Sequence, residues 1–108
     1  MVDLDPARGS EANKRRPAVI VSNDGANTTA VRLNRGVITL VPVTSNVSRV
    51  YPFQVLLPAT ECGLPSDSKA QAEQVRSVAI ERIGRRVGQL TAPLLAELDD
   101  ALRLHLAL

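Results

Sequence analysis

The apolar residues of this chain come in short β-branched runs, and proline opens or interrupts each of the three strongest. PAVIVS (17–22) begins on proline, GVITLVPVTS (36–45) holds Pro42, and VYPFQVLL (50–57) carries Pro52. Proline has no N–H to give a ladder, so each such strand must start there, bulge there or leave that edge free. NDGAN (23–27) breaks the chain after the first run. AEQVRSVA (72–79) alternates in a way that predicts a strand with Gln74 and Arg76 on one face. GRRVGQL (84–90) predicts another, pinched between glycines. Several short strands at near-regular spacing predict a small barrel or sandwich.

The period then changes. In TAPLLAELDDALRLHLAL (91–108), Leu94, Leu95, Leu98, Leu102 and Leu106 fall at helical spacing with acids on the other side. Thr91 is placed as an N-cap and Pro93 is tolerated in the first turn. The fold class expected is mainly β with a C-terminal helix packed on the strands. His105, the sole histidine, lies on that helix and reads as a structural or surface residue.

A chain of 108 residues is one domain, 1–108, with room for a modest core. Tyr51 and Phe53 are the only aromatics, so Val, Leu, Ile and Ala must build that core. Cys62 stands alone, which excludes an internal disulfide and a cysteine zinc cluster. No apolar run approaches the ~20 residues of a membrane span, and MVDLDPARGS lacks a signal peptide's apolar stretch, so a soluble, cytoplasmic protein with no membrane partner is expected. Residues 1–57 hold seven cations (Arg8, Lys14, Arg15, Arg16, Arg32, Arg35, Arg49) against four acids (Asp3, Asp5, Glu11, Asp24). The last eighteen residues hold Glu97, Asp99 and Asp100 against Arg103. A basic front and an acidic tail suit a polyanionic partner for the front.

The chain carries no Ser–His–Asp set, no glycosidase carboxylate pair and no Gly-Lys-Ser phosphate loop. What converges is a set of strand ends: Arg16–Pro17 starts one strand, Thr44–Ser45 finishes the next, and Glu11 lies in the polar loop feeding Arg16. Cleaving RNA without a metal requires taking a proton from the 2′-OH, stabilising charge on five-coordinate phosphorus and helping the 5′ oxygen leave. A guanidinium can hold two phosphate oxygens, which suits Arg16, and the hydroxyls of Thr44 and Ser45 can donate to the same phosphate. Glu11 is the nearby carboxylate able to accept a proton. Each residue also has a plainer reading: Arg16 as half of a surface ion pair with Glu11, Thr44 and Ser45 as a turn, Gln74 and Arg76 as a solvated strand face.

The segments VDLDPARGSEANKRRPAVIVSND, VPVTSN, YPFQVLL and AEQVRSV, followed by a leucine-rich helix, resemble in order and spacing the MazF/PemK family of toxin endoribonucleases, the mRNA interferases of type II toxin–antitoxin systems. The resemblance covers nearly the whole chain. It implies an SH3-like β-barrel that forms a homodimer and cleaves single-stranded RNA sequence-specifically without a metal or other cofactor. The products implied are a 2′,3′-cyclic phosphate and a 5′-OH. It also implies neutralisation by a cognate MazE-like antitoxin with an acidic C-terminal segment. Carried onto this chain, the catalytic residues are Arg16, Thr44 and Glu11, with Gln74 and Arg49 near the RNA. Lys14 and Arg15 would add contacts without base preference, and Ser45, Asn46 and Arg76 complete the expected RNA-binding set. The family's opening segment is missing here, so the first strand is expected to be short, either because the chain is truncated there or because its true start lies further upstream.

Two rivals stand beside this reading. One is a non-catalytic toxin of the related CcdB group, which shares the barrel and acts on DNA gyrase. The other is a plain RNA-binding barrel.

Overall fold

A computed structural model describes residues 2–4, 16–22, 32–33 and 36–108, with the backbone alone for 2–4 and Arg85. Two antiparallel strands, β2 (Arg16–Ile20) and β3 (Val37–Thr44), form the centre, paired with Ala18 against Pro42 and Ile20 against Leu40. Both are the β-branched runs seen in the sequence, and both are covered on two faces. Val19, Val41 and Val43 join the main core, while Ala18, Ile38 and Leu40 meet Val78 in a smaller one. That explains the absence of strict polar alternation along them.

β1 (Val2–Leu4) lies on the far side of β2, and β7 (Ile83–Arg86) lies beyond β1. The other edge of β3 is shared. β5 (Ser68–Gln71) pairs with its end at Val43 and Thr44, and β6 (Arg76–Ala79) pairs with residues 37–40. β4 (Gln54–Leu57) pairs with β5. The strand path is β4–β5–β3–β2–β1–β7, all antiparallel. It is a mainly antiparallel sheet whose path does not close into a barrel among the described strands.

The segment 72–79 differs from the expected continuous strand. Ala72–Gln74 form a 3₁₀ turn, and the strand begins at Arg76. Had the Val43–Ala70 register continued, Leu40 would face Glu73, yet it faces Arg76. The register slips by three residues, the length of the turn, which acts as a large bulge. Ala72 is fully buried at this point, so the chain turns inward before resuming its ladder. Pro42 sits opposite the slip. The N–H of Thr39 donates to Ser22 Oγ (3.2 Å) and its carbonyl accepts from Val21 (2.9 Å), so residue 39 bonds towards β2. By alternation the nitrogen of Pro42 points to the opposite edge, where β6 has ended and β5 has just begun pairing. The missing donor therefore costs no ladder bond.

A second difference lies in VYPFQVLL: the strand starts only at Gln54. Residues 51–54 make a tight turn closed by Gln54 N–H to the Tyr51 carbonyl (2.9 Å), with the Tyr51 and Phe53 rings stacked 5.4 Å apart.

The helix α2 (Ala92–Leu106) follows the expected leucine period, and Thr91 caps it by accepting from the Leu94 N–H. It lies against β4 and the 3₁₀ turn, burying Leu94, Leu98 and Ala101, whereas Leu95 and Leu106 remain 43% and 48% exposed. No described helix is long and apolar enough to cross a membrane. The short helix α1 (Ala59–Cys62) ends on Gly63 in the left-handed region (φ 72°). Gly88 crosses behind it, so close that a Cβ there would overlap the Cys62 carbonyl oxygen.

Leu98→Ala should therefore cost about 2–5 kcal/mol in urea unfolding, since it empties a fully buried position, while Leu95→Ala should cost under about 1 kcal/mol. Gly88→Ala should cost about 1–3 kcal/mol, because backbone rather than a side chain must move.

Candidate functional site

Because β2 begins with Arg16 and β3 ends with Thr44, continuing their register by two residues sets these two opposite one another. The alternation that turns Thr39 towards β2 makes this a non-hydrogen-bonded position, where facing side chains come closest. Both residues line a cleft of about 410 Å³ at this end of the sheet, together with Pro17, Val43, Ser45, Leu64, Pro65, Ser66 and Ser68. Among the described residues the lining holds one cation, four hydroxyls and no carboxylate or imidazole. An anion is the ligand such a wall favours.

The hydroxyls are not equivalent. Thr44 Oγ1 accepts from the Asn46 N–H (3.3 Å), which leaves its own proton to be given into the cleft. Ser68 Oγ donates to the Ser66 carbonyl (3.0 Å), so it offers lone pairs only. Asp67, the acid nearest this wall in sequence, accepts from the Ala59 N–H (2.9 Å), which ties the 64–68 wall to the start of α1. Among the described residues no acceptor holds the exposed Arg16 guanidinium. A cation fixed at its root by the strand, and with no described carboxylate at its head, is placed to meet an anionic ligand.

The other expected site residues fall into three groups. Ser45 shares the cleft. Asn46 stands beside it but uses its side-chain oxygen to accept from the Ser48 N–H (3.3 Å) and Oγ (2.9 Å), building the turn. Arg49, exposed, places its guanidinium carbon 5.6 Å from the Tyr51 ring centre and donates to the Tyr51 hydroxyl (3.1 Å), outside the cleft lining. Gln74 and Arg76 are exposed but do not share a strand face, because the 3₁₀ turn ends at Gln74. Arg76 pairs with Leu40, four residues before Thr44, or about 13 Å along β3. Glu11, Lys14 and Arg15 lie outside the described residues.

Sequence reasoning missed the wall 64–68 and Lys69. Nothing in LPSDSK marks it as a wall, since its position follows from α1 and from the β5 register. Among the described residues no group of three or more His, Cys, Asp or Glu is placed to hold a metal ion. Cys62 is buried beside the wall, and burial pushes its thiol up, with the Glu61 carboxylate adding to the effect.

The sequence matches, over residues 1–106, the family described as "PemK-like, MazF-like toxin of type II toxin-antitoxin system". It is 69% identical over 107 residues to Endoribonuclease MazF9 of Mycobacterium tuberculosis, covering 99% of this chain and 91% of that one. It is 37% identical to Endoribonuclease toxin MazF of Escherichia coli, covering 85% of this chain and 74% of that one. Among solved structures, MazE-MazF from Deinococcus radiodurans superposes with a TM-score of 0.75 at 28% identity, covering 99% of this chain and 90% of that one. The fold is also that of an endoribonuclease in complex with its cognate antitoxin from a mycobacterial species, with a TM-score of 0.77 at 20% identity, covering 99% and 90%.

The Cys62 thiol holds its proton to higher pH folded than unfolded. Its contribution to stability is thus whole below the ordinary thiol value and lost as pH rises through the folded one. Cys62→Ala should flatten the alkaline fall of unfolding free energy, and the thiol should react with Ellman's reagent slowly at neutral pH until urea exposes it.

Proposed function

Since the chain belongs to the PemK-like, MazF-like toxins of type II toxin–antitoxin systems, we propose that it is an endoribonuclease toxin that cuts single-stranded RNA in the Arg16–Thr44 cleft. The observation carrying this reading is that a guanidinium with no acceptor among the described residues and a donor-ready hydroxyl, from strands adjacent in the sheet, line one cleft in which no described residue is a carboxylate. The RNA 2′ oxygen attacks the neighbouring phosphorus, the bond from phosphorus to the 5′ oxygen breaks, and the products are a 2′,3′-cyclic phosphate and a 5′-OH.

Arg16 grips the non-bridging oxygens as charge builds on them, and Thr44 donates to the same phosphate. The 2′-OH proton needs an acceptor that the described lining lacks, and Glu11, in the segment running into Arg16, is assigned that task. The departing 5′ alkoxide is more basic than a guanidinium, so it can be protonated from Arg16. No metal is required by this scheme.

Ser45 and Asn46 flank the scissile phosphate. Lys14, Arg15, Arg49, Gln74 and Arg76 follow the strand of RNA on either side. Recognition of the RNA word rests on hydrogen bonds to unstacked bases, since both aromatics are stacked on each other. The SH3-like barrel, the homodimer and a MazE-like antitoxin whose acidic segment lies across the basic groove belong to the same proposal. The gyrase-directed alternative is not favoured, since the matched family is the PemK/MazF one and the relatives named above are endoribonucleases.

Arg16→Ala should lower cleavage of an RNA oligonucleotide by about 10²–10³-fold or more, and Thr44→Val by about 10²-fold, with thermal midpoints within a few degrees of wild type. One 2′-deoxy sugar at the cut should block it, and EDTA should leave the rate unchanged. Cleavage that survives Arg16→Ala would overturn the assignment.

A further inference from the structure

Lys69 is 8% exposed, an unusual position for a lysine, and among the described residues no carboxylate pairs with it. Its ammonium donates to the Arg49 carbonyl at 2.6 Å and lies 5.9 Å from the centre of the Tyr51 ring. The same turn is held from a second side. Gln54 Oε1 accepts from the Tyr51 N–H (3.1 Å), and Gln54 Nε2 donates to Glu73 (2.8 Å). Arg49 in turn donates from its guanidinium to the Tyr51 hydroxyl. Two cations thus rest against one tyrosine, and neither forms an ion pair with a described carboxylate.

We propose that Lys69 is a positioning residue of the cleft: from its place opposite Thr44 in the β3–β5 ladder, it clamps the Arg49–Tyr51 turn so that the Arg49 guanidinium stands at a fixed distance from Thr44 and grips an RNA phosphate next to the scissile one. The proposal rests on the reading of the cleft as an RNA-cleaving site. Its physical basis is that a guanidinium on a free side chain must be ordered when it binds, whereas one seated on a clamped aromatic has already been ordered. Packing alone does not account for Lys69. A buried ammonium with no described carboxylate partner is costly, and an apolar side chain of similar size would serve a merely structural role as well or better. A phosphodiester supplies the missing negative charge for both cations.

Tyr51 is the sole tyrosine and the chain has no tryptophan, so tyrosine fluorescence reports on this turn alone. In Lys69→Met, acrylamide quenching of that fluorescence should rise about 1.5-fold or more without RNA present. KM for an RNA oligonucleotide should rise about tenfold, with kcat within twofold and a thermal midpoint no lower than wild type. Arg49→Ala should give a similar rise in KM.

Unchanged quenching, or an unchanged KM with RNA still cut, overturns the proposal. Should Lys69→Met not fold, Lys69→Arg decides: it can still donate to the Arg49 carbonyl, so KM should stay within about threefold of wild type, and a rise equal to that of Arg49→Ala overturns the clamp. A wild-type protein that cuts no RNA would sink the function instead, while quenching still tests the clamp.

Discussion

The antiparallel register that sets Ala18 against Pro42 and Ile20 against Leu40 is the constraint on which the rest of the molecule depends. Side chains in a strand alternate faces, so a slip of one residue would send the whole buried set of β2 to the other side. With Ala18 in the smaller core and Val19 in the main one, neither can be exchanged without exposing or overfilling a face. That burial holds the register, and the register puts the first residue of one strand opposite the last of the other. The cleft chemistry is a consequence of two apolar cores lying on either side of a shared pair of strands.

The same pair explains why prolines are tolerated in a sheet with so few residues to spare. Pro17 opens β2, and Pro42 turns its nitrogen to the edge where β6 hands over to β5. The three-residue slip at Ala72–Gln74 absorbs the handover and points Ala72 inward beneath α2. The helix in turn closes the main core through Leu94 and Leu98. Its N-cap, its buried stripe and the turn it covers belong to one packing unit.

Charge follows a different logic from packing. The one close cation–carboxylate pair among the described residues, Arg103–Asp100, is exposed on the helix and contributes little. By contrast, Arg16 and Lys69 sit where the sheet positions them, with no counter-ion among the described residues. Arg16 is exposed, whereas Lys69 is buried. Arg16 beside a wall of hydroxyls suits a site whose negative partner arrives from outside.

From the sequence alone the strand runs, the proline positions, the capped C-terminal helix and the pairing of Arg16 with Thr44 as site candidates could all be read. These depend on local pattern: β-branching, the missing proline N–H, a 3.6-residue leucine period. Tertiary structure alone decided that 72–74 turns, that Tyr51 and Phe53 stack in a turn rather than extend, that Arg76 stands well along β3 from Thr44, and that the cleft's far wall is 64–68. It also buried Lys69, which in SKAQ reads as an ordinary solvated lysine. The physical reason is that register and partner exchange are settled between strands far apart in the chain, where no single run of residues records which edge its neighbour will occupy.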